Sequence, residues 1–409
     1  MARRSLLITA VAAVALLVIP AGAGAKVIKV DPTDSIQGAV DQAHPGDTIK
    51  VAPGTYREAG TPCPSEPGHT CAVVVAKDDI SIVGQSGKHG KGVTLEAGSD
   101  QDEGIAVGKT ADPACLNDSS LRVHGSLVRG ITVERFEDDG VFLYCVTHWR
   151  VTHVVAVGNL EYGIFPSHSF KGRLDHSFAS GANDTGLYIG QSFNSRMDHN
   201  VATDNVSGYE IENSVGVKAD HNLSHGNTGG ILSFTLPFLD VKVNEDNVIA
   251  KNIVRDNDRP NTCIDEDDAV CQVPPGTGIL LVAADANRVR NNLVMDNDSF
   301  GIAVTNICLA QQLPQDVCDF ISQDIQPDSD DNHVVSNTVL DNGLHPAPPP
   351  FQPIFAKDLV WDMTGVGNCW SNNVFKPRSR RPFRTASRRS RSRLRGVTGK
   401  RRPLGSGFF

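Results

Sequence analysis

Residues 186–207 read GLYIGQSFNSRMDHNVATDNVS, and residues 208–229 read GYEIENSVGVKADHNLSHGNTG. Counted from the opening glycine, the two lines share apolar residues at +1 and +3, a cation at +10, Asp at +12, His-Asn at +13 and +14, and Asn at +19. The same glycine-apolar start recurs at Gly140-Val141, Gly163-Ile164, Gly186-Leu187, Gly208-Tyr209, Gly230-Ile231, Gly278-Ile279 and Gly301-Ile302. The steps are 23, 23, 22, 22, 48 and 23 residues. A near-fixed period of this length marks a solenoid, because one unit cannot bury its apolar face without stacked neighbours.

The units are rich in Val, Ile, Asn, Asp and Gly, with alternating stretches and no 3.6-residue stripe, which excludes helical repeats. The regular leucines of a leucine-rich repeat are missing too. The predicted fold class is all-β: a single-stranded parallel β-helix whose coils stack about 4.8 Å apart. The long step holds Cys263 and Cys271 and reads as a loop inserted into one coil. Asn falls at +19 in Asn159, Asn205, Asn227 and Asn297, and at +14 in Asn200, Asn222 and Asn292. That shared register is what stacked amides need, each satisfying buried turn groups of the coil above and below.

The opening Ser35-Ile36-Gln37-Gly38-Ala39-Val40-Asp41-Gln42-Ala43, then Pro45-Gly46-Asp47-Thr48-Ile49 and Pro53-Gly54-Thr55-Tyr56, resembles the start of many parallel β-helix proteins. So do Asn-rich units such as Asp198-His199-Asn200-Val201. The group is the pectate-lyase-like superfamily, including its carbohydrate-binding and sugar-hydrolase β-helices, and the resemblance covers roughly residues 26–375. It implies a right-handed helix of coils over 26–344, opened by a short capping helix with Ser35 as N-cap. A Pro-rich connection and returning segment would follow over 345–375. On activity the resemblance is open, since the superfamily holds lyases, hydrolases, copper-accessory proteins and adhesins.

Residues 1–25 read as a signal peptide: Arg3 and Arg4, an apolar run from Leu6 to Ile19, then Ala23-Gly24-Ala25. A secreted chain fits the nine Cys. Cys63 and Cys71, Cys263 and Cys271, Cys308 and Cys318, and Cys115 and Cys145 are the expected pairs, leaving Cys369 over. Of the 38 Lys and Arg, 13 lie after residue 375, where none of the 47 acids falls. Residues 376–409 therefore read as a basic disordered tail on a strongly acidic body. Such a body disfavours nucleic acid as a partner and makes a polyanionic glycan awkward unless calcium mediates.

Positions +2 and +4 are expected to face solvent on the first strand of each coil. They read Phe142 and Tyr144, Phe165 and Ser167, Tyr188 and Gly190, Glu210 and Glu212. Aromatics beside acids suit sugars, so Phe142, Tyr144, Phe165 and Tyr188 are candidate substrate contacts. Glu210 and Glu212 share a face with Cα atoms about 6.5–7 Å apart, and carboxyl separations of about 6.5–9.5 Å suit an inverting glycosidase. They are the candidate catalytic pair; surface acids or a calcium contact are the alternatives.

On the second strand, +10 is Arg150, Arg173, Arg196, Lys218 and Arg288, and +12 is Thr152, Asp175, Asp198, Asp220 and Arg290. An ion-pair network is the plain reading, a grip on an anionic polymer the alternative. His153, His176, His199 and His221 align at +13 as a stacked ladder or, alternatively, a metal row. No phosphate loop, GxSxG elbow or HExxH motif occurs. The function expected is an exported monomer that binds or cleaves a polysaccharide on its first-strand face. No metal ligand or cofactor is assigned, calcium being the one considered, and no membrane span is expected in the mature chain. Alternatives are a non-catalytic adhesive solenoid or a copper-accessory protein.

Overall fold

The computed structural model describes residues 24–86, 92–264, 268–348 and 356–376. The expected leader up to residue 23 and the basic tail beyond 376 lie outside these. The chain divides into two compact units, Met1–Ala179 and Ser180–Phe409. In each, successive coils pass through three parallel sheets.

In the first unit, helix α1 (Ile36–Gln42) lies between the parallel-paired strands Val27–Val30 and Thr48–Val51, and the Ser35 side chain accepts from Gly38 N as N-cap. Buried Ile36, Ala39 and Val40 turn its apolar side inward. The strand after each repeat glycine carries the expected register, with Val141 beside Ile164, Phe142 beside Phe165 and Tyr144 beside Ser167. Arg150 pairs with Arg173 and Thr152 with Asp175 on the second sheet. Turns in this unit are tied by single side chains: Asn159 Oδ1 accepts from Phe136 N at 3.2 Å, and Ser177 Oγ accepts from Val154 N at 3.2 Å.

The second unit repeats the scheme, Tyr188 beside Glu210 and Gly190 beside Glu212, then Glu210 beside Leu232. The +1 and +3 residues form its core: Leu187, Ile189, Tyr209, Ile211, Ile279, Leu281, Ile302 and Val304 have no exposed surface. Its turns are laddered. Asn200 donates through Nδ2 to Asn222, Asn222 to Asn252, Asn252 to Asn292, Asn292 to Asn337 and Asn337 to Asn373, each at 3.0–3.1 Å. A second column runs Asn205, Asn227, Asn257, Asn297, Asn342 and ends on Asp358 Oδ1 at 3.1 Å. Asp358 Oδ2 accepts from Lys376 N at 2.8 Å. A third column, Asn247, Asn287, Asn332 and Asn368, links backbone N–H to side-chain oxygen at 2.9–3.0 Å. The segment Leu359–Trp361, Cys369–Ser371 and Val374–Phe375 completes the last described coil.

All four expected disulfides form, and Cys369 is free and exposed. Two short helices that the repeat does not announce, Ile307–Ala310 and Gln315–Ile321, are joined by Cys308–Cys318. Ile307, Ile321 and Ile325 pack on Val282 and Ala283, against Phe234, Leu236 and Leu280. No described helix is long and apolar enough to cross a membrane.

Candidate functional site

The second-sheet columns settle into structure. Arg150 makes a two-pronged contact with Asp175 at 2.8 and 2.9 Å, and Arg196 does so with Asp220 at 2.8 Å in both prongs. Burial alone would raise Asp175 and Asp220. Hydrogen bonds from the arginines and from His176 or His221 outweigh it and hold both carboxyls below the usual range. His153, His176, His199 and His221 all sit at positive φ, 51–58°, the left-handed turn position. Rings of His153 and His176 stack at 5.2 Å, those of His199 and His221 at 5.0 Å. Each of the last three bonds its own Asp through Nδ1 at 2.7 Å. The histidine column is a stacked ladder that shapes the turn.

The first-strand face departs from expectation. Positions +2 and +4 point away from the core, as the period-2 alternation requires, but insertions fold over them. In the first unit Phe142 is buried under the Cys63–Cys71 disulfide together with Ala106. Tyr144 and Phe165 stay half-buried. Phe165 stacks with Phe142 at 5.6 Å and with Tyr162 at 4.2 Å, so an aromatic row does reach the surface. In the second unit Tyr188, Glu210 and Glu212 are buried, the glutamates only 3% and 8% exposed. Val270, inside the loop closed by Cys263–Cys271, and Val273, just beyond it, pack on Val206 and Leu232 and lie beside Glu210.

This cover creates the chemistry. The Tyr188 hydroxyl donates to Glu212 Oε2. Its ring lies over Gly190, where a Cβ would collide with it. Burial, with the Glu212 charge adding to it, pushes Glu210 up to about 8; Thr185 and Ser207 hydroxyls oppose part of the shift. Burial lifts Glu212 to about 7, with the Tyr188 hydrogen bond opposing and Asp268 adding. Glu210 Oε1 is enclosed without a hydrogen-bond partner, and Glu210 lines a cleft with Leu232, Phe234, Val270, Val273 and Leu280. Two carboxyls on one strand that change charge near neutrality can trade the roles of proton donor and acceptor.

Residues 139–308 match the family model described as "Right handed beta helix region". The fold is a right-handed parallel β-helix. Two solved structures with this β-helix are similar over most of their length. The A-module of one Azotobacter vinelandii mannuronan C-5 epimerase gives a TM-score of 0.60 at 16% identity, covering 84% of this chain and 83% of that one. A second such module gives 0.58 at 15%, covering 84% and 86%. The tailspike protein of an E. coli bacteriophage, solved in complex with a pentasaccharide, gives 0.54 at 11%, covering 85% of this chain and 59% of its own. No curated protein matches the chain.

The β-helix also holds a group that the repeat count passed over. In the first unit, Asp102 and Glu103 precede Gly104, and Asp138 and Asp139 precede Gly140. His69 Nδ1 lies 3.2 Å from Glu103 Oε1 and 3.1 Å from Asp138 Oδ2. Burial, then the charges of Asp138, Glu66, Asp102 and Glu161, pushes Glu103 up to about 9, and burial drives Asp139 upward as well. The signal was an acid pair before a glycine, repeated once. It escaped notice because the coil between them carries an insertion, so the step from Gly104 to Gly140 is 36 residues.

Proposed function

We propose that this chain is an exported β-helix protein that binds and cleaves a polysaccharide, with Glu210 and Glu212 as the proton-handling pair. The observation that carries the reading is the arrangement of those two carboxyls: one strand, one face, Glu210 on a cleft and Glu212 held by Tyr188. Whichever carboxyl holds the proton donates it to the leaving glycosidic oxygen, and its ionised neighbour draws a proton from water. Tyr188, buried on Glu212, is a positioning residue and not the stacking platform first expected. Stacking on sugar C–H faces falls to the half-buried Tyr144 and Phe165, while Phe142 supports Phe165 from beneath. Four disulfides suit an oxidising compartment. The similar structures include an epimerase of mannuronan and a tailspike with a bound pentasaccharide, which supports a glycan as partner.

The test is a glycan panel assayed with and without calcium, first for binding and then for products, on the wild type and on Glu210→Gln with Glu212→Gln. The expected result is binding by both and product from the wild type alone. Absence of binding to any glycan, or products unchanged by the double substitution, would overturn the proposal. Binding without products by the wild type would leave an adhesive solenoid.

A further inference from the structure

We propose that His69, Asp102 and Asp138 of the first unit bind one divalent transition-metal cation, Zn²⁺ or Mn²⁺, at a turn where successive coils stack. The backbone sets the stack. Asp102 N donates to Thr70 O at 2.9 Å, Asp138 N to Asp102 O at 2.9 Å, and Glu161 N to Asp138 O at 3.0 Å. Acids from successive coils therefore project from one turn column. His69 enters from the hairpin of Thr61–Pro62 and Thr70–Val75, which Cys63–Cys71 pins in place. One ligand atom from each of His69, Asp102 and Asp138 lies within 4.8 Å of the other two.

A second observation is independent of that geometry. Glu103, 2% exposed, touches His69 through Oε1, while its Oε2 is enclosed and has no hydrogen-bond partner. Oδ1 of the adjacent buried Asp139 is likewise without one. Buried polar oxygens are costly unless a hydrogen-bond partner or a cation meets them. Elsewhere in the same unit, buried Asp175 is met by Arg150, Arg173 and His176. At the His69 turn Glu103 contacts the imidazole, and the charges of Asp138, Glu66, Asp102 and Glu161 act on it. One ring nitrogen among carboxylate oxygens suits Zn²⁺ or Mn²⁺ better than Ca²⁺, which takes oxygen donors. A bound cation would clamp the hairpin to the next two coils.

The experiment uses the full chain stripped of metal, titrated calorimetrically with ZnCl₂, MnCl₂ and CaCl₂, and followed by Mn²⁺ electron paramagnetic resonance. The expected result is one equivalent of Zn²⁺ or Mn²⁺, a raised melting temperature, and nitrogen coupling from one imidazole. His69→Gln, at a partly exposed position, should fold, abolish the nitrogen coupling and weaken binding at least about tenfold. Asp138→Asn should weaken it similarly, and His176→Gln should not. No stoichiometric binding, binding of calcium alone, binding untouched by His69→Gln, or binding removed by His176→Gln would each overturn the proposal.

Discussion

Asp220 and Glu210 belong to the same unit and are almost equally enclosed, at 1% and 3% exposed. Their affinities for protons nevertheless move in opposite directions. Burial raises both. At Asp220 it is overruled by two hydrogen bonds from Arg196 and one from His221. At Glu210 the strongest nearby charge is another carboxylate, Glu212, and one oxygen meets no donor. Surface exposure alone therefore does not separate a structural acid from a reactive one; depth and the donors and cations aimed at the carboxyl do. The sheet that carries alternating cations and acids is stitched shut, and the sheet that carries acids and a tyrosine is left chemically unsettled.

The contrast can be broken most forcefully at Gly190. Gly190→Ala should push the Tyr188 ring off Glu212, and overpacking plus a lost charged hydrogen bond should cost roughly 2–5 kcal/mol in urea denaturation. A variant as stable as the wild type would remove the Tyr188–Glu212 contact from consideration. Asp220→Asn comes next, at about 1–2 kcal/mol at pH 7, a modest figure because the Arg196 side chain is 36% exposed. Asp220 is depressed in the folded state, so its contribution exists above the unfolded value of about 3.8 and fades as the pH falls. The wild type and Asp220→Asn should therefore converge in acid; a gap unchanged from pH 7 down to pH 2 would rule out the ion pair as its source.

Glu210→Gln gives the opposite slope, and its effect depends on pH. The folded state holds its proton up to about pH 8, whereas the unfolded chain releases it near 4.5. The wild type thus loses stability as pH rises through that interval, and above it the loss is complete. Stability curves of the two proteins should draw apart between pH 5 and about pH 8, with the variant the flatter. Parallel curves would mean that Glu210 titrates as an ordinary surface acid.

Much of this was legible in the order of residues. The glycine count gave the coil, and offsets from it gave the inward residues, the Arg150–Asp175 type of pairing and two asparagine columns, because stacked coils repeat the same side-chain direction. The cover over Phe142, Glu210 and Glu212 was not legible. Alternation tells which way a side chain points, but not what a segment distant in sequence will lay across it, as Val270 and Val273, 60 and 63 residues further on, do beside Glu210. His69 and Asp138 were hidden for a related reason, since insertions broke the period that would have aligned them. The third asparagine column, Asn247 to Asn368, begins after the interruption near Phe234 and so fell outside the frame.

The second asparagine column also has a direction. Each amide hands a hydrogen bond forward to the next coil and accepts one from the coil behind, from Asn205 through to Asn342. A further asparagine at the end would still hold out an N–H for a successor. Asp358 receives through Oδ1, and its other oxygen accepts from Lys376 N. One exchanged atom, oxygen for nitrogen, closes that row among the described residues on an acceptor in place of a donor.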